Sequence, residues 1–291
     1  MQLQQQEKPL KQQLRTIVWQ NGSIQINPSI ENLPEILYGP HTLVWLDIEG
    51  DCTPAEQMLK DVFKLQRITI RTMSEEHERA KYTDNEVYNY LVVHGLVFDT
   101  TTEEAETPKL DIVFAQNFII TAHRESLPWL DNLLEEVRQN DPEEHLMSRG
   151  VAFLLYSIVD ALTDSYFPIL DTIDDIVDEL EDVTVTDTSN EVQVRIFRIK
   201  RALAHMRRTL SPQVEVANAL VVRTGSLIPA EAEPYFADIH DHLIRAFEIL
   251  DSYRDLMSGM LDVYLTTVSN RLNEVIDKFK FSRLQTIHQG A

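Results

Sequence analysis

The chain has 291 residues, with 26 basic against 47 acidic side chains for a formal charge of −21, 43% hydrophobic residues and eight glycines. That length suffices for one large domain or two ordinary ones with real cores. The acidity excludes nucleic acid as a partner, because a phosphate backbone is held mainly by Lys and Arg, and it points to cations as ligands.

Cys52 is the single cysteine, so an internal disulfide, a thiolate zinc cage and a redox pair are all ruled out and a reducing compartment is expected. The glutamine-rich start, Met1 to Leu14, lacks the apolar core of a signal peptide, and no window of 18 apolar residues is read in the sequence, so the chain as given is expected to be soluble. Neither GxGxxG nor GxxxxGK[ST] is present, and HExxH and GxSxG are missing too.

Short apolar runs rich in β-branched and aromatic residues predict strands at Thr16–Trp19, Thr42–Ile48, Val87–Phe98 and Leu110–Phe114. Asp111–His123 reads as a hairpin turning at Gln116-Asn117. Helical patterns lie between: Pro54–Lys64 with Thr53 as its cap, and Pro128–Arg138 introduced by Ser126. A mixed-sheet α/β layer domain over residues 1–142 follows.

After Asp141-Pro142 helical periodicity takes over, in three long segments near 143–184, 188–226 and 231–283, with a kink expected at Pro168. In the last segment Phe236, Ile239, Leu243, Ala246, Leu250, Tyr253, Met257, Met260 and Tyr264 alternate three and four apart like a coiled-coil seam. Val268, Leu272, Val275 and Phe279 continue it in a second phase after a stutter. A helix of about 50 residues outruns one globular core at roughly 1.5 Å per residue. It must pack on other helices or on copies of itself, which makes an oligomer the natural reading and an antiparallel monomeric bundle the alternative.

Residues 151–194 hold eleven acids and no Lys or Arg, whereas 195–223 hold seven basic residues and one acid, Glu215. An acidic helix folded on a basic one accounts for this pattern; surplus carboxylates recruiting hydrated divalent cations is the second account. The densest ligand set is Asp238-Ile239-His240-Asp241-His242, in which Asp238 and His242 share a helix face and His240 points elsewhere. Such a run is either simply solvated or a metal site. Asp160 and Asp164 form another i, i+4 acid pair inside apolar Phe153–Phe167 and need a partner: an Arg, a helix terminus, a neighbouring subunit or a cation. No nucleophile stands at recognisable spacing from a base, so the chain is read as a non-enzyme.

Tyr156 to Phe167, Pro234-Tyr235-Phe236-Ala237-Asp238-Ile239-His240-Asp241-His242, Tyr253 to Leu265 and Val268-Ser269-Asn270-Arg271-Leu272-Asn273-Glu274-Val275 resemble, in order, motifs of the CorA family of magnesium transporters. The resemblance implies a cytoplasmic α/β domain on the inner side of the cell membrane, followed over 143–275 by long helices forming a funnel and stalk that lead into the pore of a homopentamer. It also implies that magnesium, with cobalt or zinc as other candidate ions, is held between neighbouring cytoplasmic domains and favours the closed state. Asp238 matches the central regulatory ligand; Asp160 and His242 match positions resembling a second cation site, beside which Asp164 stands. The ZntB-like zinc transporters share the architecture and form one alternative; a soluble oligomeric metal-binding scaffold is another.

Two departures mark this chain. Aligned on His77, the family's interface Glu-Asp pair is replaced by Arg71 and Thr72. Arg71 cannot hold a cation and would instead pair with Asp238 across the interface, while Glu75 and Glu76 stand nearby as substitutes. Beyond Val275, where the family has an apolar span and a Gly-Met-Asn signature, residues 276–291 read as a divergent or foreign tail without membrane helices.

Overall fold

A computed structural model describes residues 12–139, 146–223 and 227–289. The chain forms two compact units. The first takes its described residues from those up to Val97, from Glu106 to Phe167 and from Arg208 to Phe247; the second from Phe98–Ala105, from Pro168 to Arg207 and from Glu248 onward.

The first unit is organised by a seven-stranded sheet. β1 (Gln13–Gln20) and β2 (Ser23–Ile26) form a hairpin across Asn21-Gly22, both with positive φ (49° and 81°), the conformation that a two-residue turn between twisted strands requires. β3 (Thr42–Glu49), β4 (Lys81–Asp84), β5 (Asn89–His94), β8 (Lys109–Ala115) and β9 (Phe118–His123) complete it in the order β2-β1-β3-β9-β8-β5-β4, once the small ribbon of β6 (Val97–Asp99) and β7 (Glu104–Glu106) is set aside. Only β3 and β9 run parallel; the sheet is mixed, as expected. The hairpin at Gln116-Asn117 forms as the sequence predicts, with Ala115 opposite Phe118. The expected strand at Val87–Phe98 is divided into β5 and β6 around Gly95-Leu96, where the Gly95 N–H donates to the Pro108 carbonyl (2.8 Å).

The inner strands are buried on both faces, which makes them near-continuous apolar runs. α1 (Leu33–Leu37), α2 (Glu56–Asp61) and α3 (Arg67–Ser74) bring Leu37, Leu59, Ile70 and Met73, and the segment after α2 brings Phe63, into the cluster containing Val18, Val44, Leu46, Val113 and Ile120. On the other side, α5 (Val151–Asp164) lies against β8, β9 and α4 (Pro128–Gln139). Three local expectations are corrected. Thr53 does not cap a helix: Asp51 Oδ1 accepts from both its N–H (2.9 Å) and its hydroxyl (2.7 Å), so Asp51 shapes the turn that opens this region. Ser126 donates its hydroxyl to Asp131 Oδ2 (2.7 Å) rather than accepting from the first turn of α4. Pro168 does not kink a continuous helix; α5 stops at Asp164, and Pro168 falls in the first turn of α6 (Phe167–Thr186), where the missing N–H costs no helical bond.

α7 (Asn190–Arg223) and α8 (Glu233–Gln289) complete the helical part, and α8 is 57 residues of unbroken helix. Its seam from Phe236 to Tyr264 is buried apart from the half-buried Tyr253, whereas Leu272 (57% exposed) and Phe279 (73%) of the second phase have no apolar cover within the described chain. An 18-residue window within Val151–Thr186 reaches a mean hydropathy of 1.2, enough by composition to cross a membrane; half of it is buried in the chain itself, as a core helix would be. It is not purely apolar, since Asp160 and Asp164 stand in this stretch.

Candidate metal centre

The pitch of α5 sets the site. Leu155, Ile158, Val159 and Leu162 are buried, and the residues at every fourth position on another face, Tyr156, Asp160 and Asp164, stand in line along one edge of the helix. Opposite them α8 presents Asp238 and His242, also four apart. α8 is seated there by Phe236, buried on the seam, and by an aromatic lattice: Tyr156 meets Tyr235 edge-on at 5.1 Å between ring centroids, and Phe153 meets the same ring at 5.5 Å. Arg149 stacks over Phe153 at 3.6 Å.

Asp160, Asp164 and His242 each offer one ligand atom, all lying within 4.8 Å of one another. His242 Nδ1 is 3.9 Å from Asp164 Oδ1, and its Nε2 is 3.8 Å from Asp238 Oδ1. Both separations exceed a hydrogen bond, and the buried Nδ1 has no hydrogen-bond partner. Phe167 stands edge-on to the imidazole at 6.0 Å between ring centroids. Asp238 thus sits beside the three-residue cluster, on the far nitrogen of the ring, and His240 faces away toward Asp241 (3.7 Å).

Burial, reinforced by the charge of Asp164, raises the Asp160 carboxyl above its ordinary range, against the opposing hydrogen bond from Tyr156 and the nearby His242. Burial and Asp160, with which it shares a hydrogen bond, push the Tyr156 phenol up to about 12. The partner that Asp160 required is therefore a tyrosine hydroxyl with an imidazole close by. Tyr156 is absent from the sequence-derived ligand set, although its i−4 spacing from Asp160 puts it on the same helix face. Excess carboxylate charge around a partly sheltered pocket is what a divalent cation relieves. The donor set, two carboxylates and an imidazole, accommodates magnesium through oxygen and suits cobalt or zinc through nitrogen.

The other acids are differently placed. Arg71 of α3 pairs with Glu75 just past the end of that helix (3.1 Å), and Glu76 pairs with Arg124, so both acids named as substitutes already have cationic neighbours. Of the basic face of α7, Arg195 meets Glu179 of α6 (2.8 Å), while Arg207 turns to Asp251 of α8 (2.6 Å) and Lys200 to Ser258 (3.2 Å). Acidic α6 is paired with basic α7 through Arg195 alone among the described ion pairs. Asp174, with Asp171 and Asp178, instead surrounds the Tyr253 hydroxyl, whose pKa is raised by burial and by these carboxylates. Cys52 is buried and its thiol is pushed up to about 12 by burial and the nearby Asp111 and Asp51 carboxylates, so it is not a nucleophile.

This geometry belongs to a known architecture. The complete CorA magnesium transporter of Methanocaldococcus jannaschii superposes with a TM-score of 0.79, 18% identity, over 92% of this chain and 81% of that one. The ZntB cytoplasmic domain of Vibrio parahaemolyticus superposes with a TM-score of 0.70, 17% identity, over 88% and 98%. In sequence, the cobalt/magnesium transport protein CorA of Thermotoga maritima is 31% identical over 236 residues, which is 81% of this chain and 67% of that protein. The family model described as "CorA-like Mg2+ transporter protein" matches residues 40–287, and with it the chain belongs to the CorA family of divalent cation transporters.

Proposed function

We propose that this chain is the cation-sensing and gating part of a magnesium transporter, on the cytoplasmic side of the cell membrane, working as a homopentamer with membrane helices supplied by segments outside this sequence. The observation that carries the sensing role is the convergence of Asp160, Asp164 and His242 within 4.8 Å, with Asp238 beside them. A cation bound there joins α5 to α8, so the geometry with the ion differs in free energy from the one without it, and occupancy shifts the population between them. The exposed apolar phase of α8 at Leu272, Val275 and Phe279 supports self-association, since a helix face of this kind is covered in an assembled protein. At the first interface position Arg71 replaces a metal ligand; a direct pair with Asp238 of the partner subunit would hold that contact without a cation.

One observation favours a second reading. An imidazole inside the cluster is a donor that zinc and cobalt use more readily than magnesium does, so a ZntB-like cargo keeps the fold and changes the ion. The test is limited proteolysis of the purified chain with and without millimolar Mg2+, Co2+ or Zn2+. Slower cleavage with Mg2+, abolished by Asp238→Ala, is the result expected; protection by Zn2+ alone selects the second reading, and equal cleavage under all conditions overturns sensing.

A further inference from the structure

We infer that the α/β unit holds a binding site for a phosphate-bearing anion, in a groove of about 230 Å³ lined by His77, Arg79 and Arg208 with Glu76, Glu78 and Pro212 at its walls. The two guanidinium groups arrive from different parts of the chain, the segment after α3 and the middle of α7. Neither Arg79, Arg208 nor His77 has an ionic or hydrogen-bonding partner among the described residues. In a chain with 47 acids and 26 basic groups, two arginines without counter-charges share one concavity here.

The acids at the walls do not supply the missing charge. Glu78 accepts from Lys81 Nζ (2.8 Å), and Glu76 is paired with Arg124. Like charges gathered in a concave surface repel one another, and a bound anion removes that cost. The planar fork of each guanidinium matches the oxygen pairs of phosphate, and two forks with an imidazole N–H surround a tetrahedral, doubly charged group more completely than a planar carboxylate. Pro212 lies inside α7, four residues after Arg208, and lines the same wall; having no N–H, it cannot donate a helical hydrogen bond to the Arg208 carbonyl. The site uses none of the carboxylates near His242 and stands independently of the cation reading. No glycine-rich cradle is involved; the side chains carry the recognition.

The experiment is calorimetric titration of the whole chain with inorganic phosphate, ATP and adenosine at low ionic strength. Saturable binding of phosphate or of ATP, weakened about tenfold or more in Arg79→Ala and in Arg208→Ala, and unchanged in Arg67→Ala as a surface control, is expected. Phosphate binding as tightly as ATP identifies the free anion as sufficient; ATP binding alone identifies the phosphate end of a larger molecule. Adenosine binding equally to ATP, affinities unaltered in the Arg79→Ala/Arg208→Ala double variant with native circular dichroism, or no saturable heat up to about 10 mM ligand, each overturns the inference.

Discussion

The Nδ1 atom of His242 stands 3.9 Å from Asp164 Oδ1, buried and without a hydrogen bond, in a pocket that already contains the half-buried Asp160 carboxyl. A gap of that size between an imidazole nitrogen and a carboxylate is filled well by an ion bound to both.

Divalent cations will therefore stabilise the folded chain, by about 2.7 kcal/mol once the free ion is a hundredfold above its dissociation constant, read as a rise in melting temperature. His242→Ala will lose more of the Co2+ effect than of the Mg2+ effect, and Asp164→Asn will lose both. Because the ligands must be deprotonated and the Asp160 pKa is raised, binding will weaken as the pH is lowered. Equal stabilisation of wild type and both variants would remove these residues from the site.

Asp111 is a buried carboxylate in the sheet, accepting from Tyr90 Oη (2.5 Å) and Lys109 Nζ (2.9 Å). Burial outweighs these partners and raises its pKa to about 6. A raised acid pKa means that the folded state binds the proton more tightly than the unfolded chain does, so this group's contribution declines as the pH climbs from about 4 to about 6. The stability of Asp111→Asn minus that of wild type will accordingly increase over that window, by up to about 3 kcal/mol at 1.36 kcal/mol per unit. Urea denaturation at pH 4 and pH 7 measures it, and a flat difference would refute it.

Tyr166 is fully buried and donates its hydroxyl to the His94 carbonyl (2.6 Å) at the end of β5. Tyr166→Phe keeps the ring and removes this donor, so the cost expected from chemical denaturation is about 1–3 kcal/mol. A change within a few tenths of a kcal/mol would show that water replaces the hydroxyl.

In the second unit, Arg195 clamps the buried Glu103 (Nε to Oε1, 2.7 Å) and the exposed Glu179 (2.8 Å). Arg195→Ala leaves Glu103 buried without its cation, and the expected loss exceeds that of Glu179→Ala, since the solvent-exposed partner contributes about 0–1 kcal/mol. Restoration of stability by Glu103→Gln in the Arg195→Ala background is the check, and equal losses for Arg195→Ala and Glu179→Ala would contradict this ranking.

Periodicity alone made the mixed sheet followed by long helices legible, because strand and helix repeats are properties of the local chain. The seam from Phe236 to Tyr264 was equally readable, and all of it but the half-buried Tyr253 is buried. Local turn chemistry was less so: Thr53 and Ser126 carry the residue types of caps, yet nearby Asp51 and Asp131 take their hydroxyls. Pro168 could be seen to interrupt a helix, but the choice between a kink and two helices depended on the packing of α5.

The candidate site divides the same way. Spacing placed Asp160 with Asp164, and Asp238 with His242, as two separate helix-face pairs. The packing of α5 against α8 joined three of these residues, left Asp238 one ring nitrogen away and supplied Tyr156. Sequence distance carries no information about which helix faces meet, since that is set by how buried side chains such as Phe236 and Leu162 interlock. The charge of −21 belongs to composition; where it concentrates around one imidazole, and where Arg79 and Arg208 stand without counter-charge, is decided by tertiary packing.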